Sequence, residues 1–317
     1  MKVSRWIAAI VLLLIVAAGA VFYRNPIWVS FEMVRYHLWR AGVRSEYVEA
    51  GGHRLHYFEA GPANGKPLLL VHGLGSHGED WSPMIPKLAA AGFHVYAPDL
   101  LGYGRSDAPD VAYSISLEEG VVIDFMRAVG LTRADVGGWS MGGWIAAKLG
   151  IEHPAMVDRL VLYDSAGLTY ATPFTRDVFV PTDAASLNKL RALLSPKPAA
   201  LPGFALRAAL RRVHEVGPVI QQTMDSMLSG VDLLDKTLPS LSEPTLIVWG
   251  TDDALIPFSV GQAMHRDIRG SELVGIEGCG HLAPGECSEP VVAATIEFLK
   301  AQPAPQGGEK MVAGGME

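Results

Sequence analysis

Gly138-Trp139-Ser140-Met141-Gly142 is the stretch that decides the fold. It fits the pattern G-x-S-x-G, in which a serine sits at a strained turn between a strand and a helix. A turn that sharp brings backbone close to backbone, and a Cβ two residues before or after the serine would collide. The hydroxyl is pushed into the open, ready to attack an electrophilic carbon. The flanks agree with this reading. Residues 133–138 read as a short buried strand, and Gly142-Gly143-Trp144-Ile145-Ala146-Ala147-Lys148-Leu149 reads as a helix packed tightly on a sheet. That helix stops near Gly150 and Pro154.

Working outward, strands alternate with helices from residue 45 on, which predicts an α/β fold with a mainly parallel sheet. Residues 45–50 and 53–60 straddle Gly51-Gly52 as an opening hairpin. Leu68-Leu69-Leu70-Val71 is a continuous apolar run, a strand buried on both faces. Helices are expected over 79–91, 117–129, 257–268 and 289–300, and strands over 93–97, 160–163, 245–249 and 271–276. The alternation breaks over residues 169–240, where 184–194, 204–216 and 219–228 read as three helices. An insertion of about 70 residues is too long for an ordinary loop. It should form a helical cap over the carboxyl ends of the strands, where open α/β sheets bind ligands. The core is then 45–168 and 241–300. The Gly- and Pro-rich tail, 301–317, reads as disordered.

The N-terminus stands apart. Residues 6–23 carry no charge, and Lys2, Arg5 and Arg24 flank them. As a helix they would be roughly 27 Å long, against ~30 Å for a bilayer core. Residues 1–24 are therefore expected to be a single-pass membrane anchor, with a cleaved signal peptide as the alternative because Ala18-Gly19-Ala20 has the form of a cleavage site. Lys2 and Arg5 nearly balance Arg24, Arg35 and Arg40, so the count of positive charges barely orients the chain; a periplasmic or extracellular catalytic domain is the side adopted. Residues 25–44 follow as a juxtamembrane helix, lying either on the membrane or against the catalytic domain.

The 317 residues suit one large domain with an insertion, and 49% hydrophobic residues can fill a sizeable core. A net charge of −7 argues against a nucleic-acid partner. Cys279 and Cys287 give neither a disulfide framework nor zinc spacing. They are read as free thiols, with pairing left open for an oxidising compartment.

Three further motifs join the serine pentapeptide in order: Val71-His72-Gly73-Leu74-Gly75, Pro98-Asp99-Leu100-Leu101-Gly102-Tyr103-Gly104-Arg105-Ser106, and Gly250-Thr251-Asp252-Asp253-Ala254-Leu255-Ile256-Pro257 followed by Gly278-Cys279-Gly280-His281. With these four motifs, each at a strand end, the chain resembles the α/β-hydrolase family from about residue 45 to 300. The resemblance implies Ser140 as nucleophile, His281 as base and then acid, and a carboxylate that holds the imidazole in the right tautomer. Family members carry that acid four residues before the proline, which maps to Asp253 before Pro257. Some relatives place it at the end of the preceding strand, which maps to Asp164. The oxyanion donors would be the backbone N–H groups of Met141 and Leu74. Gly73 and Trp139, beside them, are expected to contact substrate. His72 is read as shaping its loop, and Asp99 as a turn residue bonding the loop at Gly102 and Gly104.

Serine at the elbow, where epoxide- and halide-cleaving relatives carry aspartate, implies acyl transfer to water. Together with the anchor, the motifs resemble membrane-anchored monoacylglycerol lipases and related bacterial lipases. A carboxylic ester hydrolase acting at a membrane on monoacylglycerols or similar lipid esters is therefore expected, with no metal and no cofactor. The alternatives are a hydrolase of carbon–carbon ring-cleavage products, a soluble small-ester carboxylesterase, and a non-catalytic ligand-binding receptor of the same fold.

Overall fold

The computed structural model describes residues 2–172 and 174–315. The chain opens with two helices, α1 (Lys2–Arg24) and α2 (Pro26–Arg40), followed by the hairpin β1 (Arg44–Ala50) and β2 (His53–Ala60). Then come β3 (Lys66–Val71), α3 (Ile85–Ala90), β4 (Phe93–Pro98), α4 (Ile115–Ala128), β5 (Ala134–Trp139), α5 (Met141–Glu152) and β6 (Val157–Tyr163). Two helices fill the insertion, α6 (Ala184–Leu194) and α7 (Gly203–Leu228). The chain closes with β7 (Thr245–Gly250), α8 (Phe258–Asp267), β8 (Glu272–Glu277), α9 (Ala283–Glu286), α10 (Ser288–Lys300) and β9 (Gly308–Ala313).

Among the described residues, all nine strands form one sheet in the order β1-β2-β4-β3-β5-β6-β7-β8-β9. Only the pairs made by β2 are antiparallel; every other pair is parallel. A parallel sheet must be covered on both faces, and the two-residue period of a strand sends alternate side chains to opposite sides. Leu69, Val71, Leu160 and Leu162 accordingly join the core under α4, α5 and α8. Leu68, Leu70, Val161 and Tyr163 join the other core, against α3 and α10. This α/β-hydrolase fold is the one the sequence predicts.

Several expectations need correction. The tail is not disordered as far as residue 315: β9 pairs in parallel with β8, from Glu272 opposite Gly308 to Glu277 opposite Ala313. Residues 316–317 of the tail lie outside the described residues. The helices expected over 204–216 and 219–228 are one helix, α7, with Pro218 inside it. Proline disfavours helical backbone in its predecessor through a clash with that residue's Cβ. Here the predecessor is Gly217, which has none. Ahead of α3, the single helix expected over 79–91 is interrupted: Gly78–Trp81 is a short 3₁₀ turn, and Pro83 and Pro86 lie in the segment that follows. Cys279 and Cys287 are not free thiols but form a disulfide, with their Cα atoms 6.5 Å apart.

The N-terminal segment is helical, but no single helix among the described residues is long and apolar enough to cross a membrane. Ala9–Arg24 and Pro26–Arg40 meet that test only together, and they are bent by 107°. The expected single-pass span is therefore not met by one helix. The side chains of Lys2 and Arg5, expected to flank the span, lie outside the described residues. Apolar side chains such as Ile10, Leu13, Ile15 and Phe22 are exposed. At its end, α1 touches the insertion: the rings of Phe22 and Tyr23 lie 5.7 and 5.2 Å from that of Phe204. α2 divides its faces. Leu38 is buried in the core, and Arg35 binds Glu79 at 2.7 Å, whereas Trp28, Met33, Tyr36 and Trp39 are exposed.

Candidate active site

The turn from β5 to α5 has the strain its sequence predicts. Ser140 has φ 56 and ψ −118, a left-handed value uncommon for a residue with a side chain. Neighbouring strands fix it there: the Ser140 N–H donates to Tyr163 O at 2.9 Å, and the Ala166 N–H donates to Ser140 O at 3.0 Å. Glycine is required on both sides. A Cβ at Gly138 would strike the Gly142 carbonyl, and one at Gly142 would strike the carbonyls of Val71 and His72.

Three distant segments converge on the hydroxyl. Ser140 Oγ lies 2.9 Å from His281 Nε2, and His281 Nδ1 lies 2.8 Å from Asp253 Oδ2. Both partners are buried, His281 at 1% exposure and Asp253 at 6%. The other oxygen of Asp253 accepts from the N–H groups of Leu255 and Ile256, at 2.8 and 2.9 Å. These bonds orient the carboxylate and hold one oxygen toward the imidazole. Its neighbour Asp252 accepts from Thr251 Oγ1 at 3.1 Å and lies outside this chain of bonds. A carboxylate, an imidazole and a hydroxyl bonded in series can move the hydroxyl proton to the ring as oxygen attacks carbon.

The loops that carry acid and imidazole are stitched together. Thr251 N–H donates to Ile276 O at 3.0 Å and Asp252 N–H to Cys279 O at 2.9 Å. The disulfide closes the loop that contains His281. Trp139 Nε1 donates to the His281 carbonyl at 2.7 Å, and Trp249 Nε1 donates to Ile256 O at 3.0 Å. Sequence reading missed these supports. The cysteines on either side of His281 were the one available signal for them.

Asp164 directly follows β6, has φ 42 and is fully buried. Its Oδ1 accepts from the Gly250 N–H at 2.7 Å. Burial, together with the neighbouring Asp253 carboxylate, pushes its carboxyl well above the usual range, so the neutral form is favoured. It therefore lies beside the bonded chain, and Asp253 makes the contact with His281.

Of the other residues singled out, His72 is buried, and burial holds its pKa down. Its Nε2 accepts from the Leu100 N–H at 2.9 Å, so the proton is on Nδ1, which donates to Gly73 O at 2.8 Å. It shapes its loop. Asp99 accepts from the N–H groups of Gly78 and Arg105, at 2.6 and 2.8 Å, rather than from Gly102 and Gly104. It also pairs with His56 Nδ1 at 2.8 Å, a buried pair the sequence did not reveal. Among the described residues, the N–H groups of Leu74 and Met141 have no protein acceptor. Met141 opens α5, so its N–H is at the positive end of a helix dipole. Gly73 packs against the serine: a Cβ there would lie 3.1 Å from Ser140 Cβ.

Ser140 opens onto two cavities. The larger, about 520 Å³, is walled mainly by apolar side chains that include Leu74, Trp144, Phe174, Met224 and Leu233. The smaller, about 300 Å³, is walled by Trp139, His281, Leu194, Phe179 and Ile220 among others. Among the described residues, the acidic and histidine side chains converging as metal ligands would are Glu119, Glu152 and His153. Lys148 Nζ already binds Glu152 and lies 3.5 Å from Glu119, so those carboxylates have a cation.

Residues 68–294 match the alpha/beta hydrolase family. The chain belongs to that family. Among solved structures it is similar to one described as a membrane phospholipase A, a bacterial virulence factor, at 29% identity and a TM-score of 0.78; the match covers 94% of this chain and 98% of that one. It is 28% identical to Lipase 1 of Psychrobacter immobilis over 74% of this chain and 76% of that protein. It is 29% identical to 2-hydroxy-6-oxo-6-(2'-aminophenyl)hexa-2,4-dienoic acid hydrolase of Metapseudomonas resinovorans, over 80% of this chain and 90% of that protein. These likenesses identify a hydrolase and leave open which bond it breaks.

Proposed function

We propose that this hydrolase cleaves carboxylic esters of single-chain lipids, of monoacylglycerol size, through an acyl-enzyme on Ser140. The observation that carries the reading is the Asp253–His281–Ser140 series of bonds opening into an apolar cavity of about 520 Å³. As Ser140 Oγ attacks the ester carbonyl carbon, His281 Nε2 takes its proton. Asp253 stabilises the imidazolium that forms. The carbonyl oxygen becomes an oxyanion and accepts from the N–H groups of Leu74 and Met141. Collapse expels the alcohol, which takes the proton from His281. Water then repeats the sequence on the acyl-enzyme and releases the fatty acid. Gly73 leaves room beside the serine, and Trp139 walls the smaller cavity and steadies the histidine loop.

The helical segment 169–240 serves as a cap, since Phe174, Met224 and Leu233 wall the larger cavity. The exposed apolar length of α1 supports membrane attachment, because an apolar surface that size is costly in water. The disulfide supports a catalytic domain in an oxidising compartment, on the periplasmic or extracellular side. The likeness to a membrane phospholipase A and to a lipase agrees with a lipid ester.

A second reading, hydrolysis of dienoate ring-cleavage products, is favoured by the likeness to the dienoic acid hydrolase. Such a substrate brings a carboxylate that needs a free cation. Arg176, in the wall of the larger cavity, is paired with Asp225, and Arg212 and His77, in the wall of the smaller one, are the cations such a carboxylate would meet. A panel of monoacylglycerols of graded chain length, run beside a coloured dienoate, separates the two readings. Turnover of the acylglycerols with the dienoate colour unchanged is expected, and Ser140→Ala should abolish that turnover. Bleaching of the dienoate with inert esters would reverse the assignment.

A further inference from the structure

A third cavity, of about 280 Å³, lies between α2 and α7, and its walls are unlike those at the serine. Four cationic side chains, Arg35, His77, Arg211 and Arg212, face it together with two carboxylates, Glu79 and Glu215. Glu79 is committed. It binds Arg35 Nε at 2.7 Å and His77 Nδ1 at 2.9 Å, and lies 3.5 Å from Arg105. Burial opposes the charged form of His77, but the bond to Glu79 and the charges of Asp80, Glu79 and Asp99 together outweigh it and lift the pKa to about 9, so the ring is a cation at neutral pH. Glu215 lies 3.3 Å from Arg212 in a partly exposed pair, a contact of small worth. Arg211 donates to the Arg24 carbonyl at 2.9 Å and has no carboxylate partner among the described residues. The cavity therefore has cationic donors in excess, and one of them is uncommitted to any acid.

Its position is as informative as its charge. Phe31, His77 and Arg212 wall both this cavity and the smaller one at Ser140. Leu74, Ser140, Phe179 and Leu255 in turn wall both cavities at the serine. The three spaces thus adjoin in series: apolar, reactive, cationic. The cationic end also sits at the α1–α2 bend, where Asn25 lines it and Arg211 grips the last carbonyl of α1. If the apolar length of α1 is in a bilayer, that bend is at the depth of the headgroups.

We infer that the cationic cavity receives the phosphate of a single-chain acyl lipid whose ester lies at Ser140 and whose chain fills the apolar cavity. The inference rests on the ester-hydrolase reading and narrows it to a lipid with an anionic headgroup. Arginine suits the role, because its fork donates two bonds to a phosphate, and charge-assisted bonds are about twice as strong as neutral ones.

The test compares two esters of the same acyl chain on the full-length protein: a 1-acylglycerol and its 3-phosphate. A kcat/KM ratio of at least ~10 in favour of the phosphate is expected. The double substitution R211Q/R212Q should collapse that ratio toward one, and R211K/R212K, which keeps the charge and loses the fork, should fall between the two. A wild-type ratio near one, or a ratio unmoved by R211Q/R212Q, overturns the inference while leaving ester hydrolysis standing. Failure to hydrolyse either ester overturns the ester reading and this inference with it. Inorganic phosphate added to the acylglycerol assay distinguishes the source of the anion. Little inhibition supports a lipid headgroup; inhibition as strong as that by the acyl phosphate overturns it in favour of a free-anion site.

Discussion

At the scale of single residues, the arrangement makes two neighbouring acids unequal. Asp253 has one oxygen on His281 and the other on two backbone N–H groups. Asp164 is buried beside it, and burial and the Asp253 charge favour its neutral form. Asp253→Asn puts an amide where the imidazole needs a carboxylate, so kcat should fall by about 10⁴ if the roles follow the known serine triads. Asp164→Asn keeps the carbonyl oxygen that accepts from Gly250 N–H, and kcat should change by less than ~10-fold. Steady-state kinetics on a short soluble ester decide the matter, and the reverse ranking would move the acid to β6. The sequence already pointed to Ser140, Asp253 and His281, because strand-end position and the distance to Pro257 are readable in one dimension. It did not point to the His56–Asp99 pair or the Trp139 bond to His281 O, which join residues far apart in sequence and carry no local pattern.

At the scale of elements, α1 is the part whose role is cleanest to test. It is joined to the body through Tyr23, Phe22 and Phe204, and leaves most of its apolar side chains exposed. None of its described side chains lines the cavities at Ser140. Removing residues 1–24 should release the protein from membranes into the soluble fraction, with short-ester turnover retained. Fractionation and a colorimetric assay check both halves. Continued sedimentation with membranes would move the attachment to α2, whose Trp28, Tyr36 and Trp39 are exposed. The sheet strands were readable because continuous apolar runs such as residues 68–71 have one stable use in an α/β fold. The errors had local causes. The gap expected between 204–216 and 219–228 contains Pro218, yet Gly217 lets α7 run through it, with Ala208, Ile220 and Met224 buried along its length. β9 is short and largely exposed, and the glycines and prolines around it hide it from composition.

At the scale of the molecule, buried ionisable groups couple stability to pH. His77 has a folded pKa of about 9 against an ordinary 6.5. Its contribution is full below 6.5 and is lost as pH rises through 9. Burial lifts Glu118 from 4.5 to about 8, with only the Leu101 N–H opposing it. The folded chain therefore holds that proton where the unfolded chain has released it, and stability falls as pH rises from 4.5 through about 8, which overlaps the lower part of the His77 range. Glu79 is depressed, burial being outweighed by His77 and Arg35, so its contribution is present above 4.5 and is lost in acid. Calorimetry should show the melting temperature falling from pH 6.5 to 9, with a loss on the order of 3 kcal/mol from His77 alone. A rise over that interval would contradict the assignment. The proposed function requires that Ser140 be the one reactive hydroxyl, and mass spectrometry tests that directly. The wild-type protein treated with a fluorophosphonate should gain one adduct, mapped to the peptide containing Ser140, and Ser140→Ala should gain none. An adduct on another serine, or equal labelling of both proteins, would contradict the account.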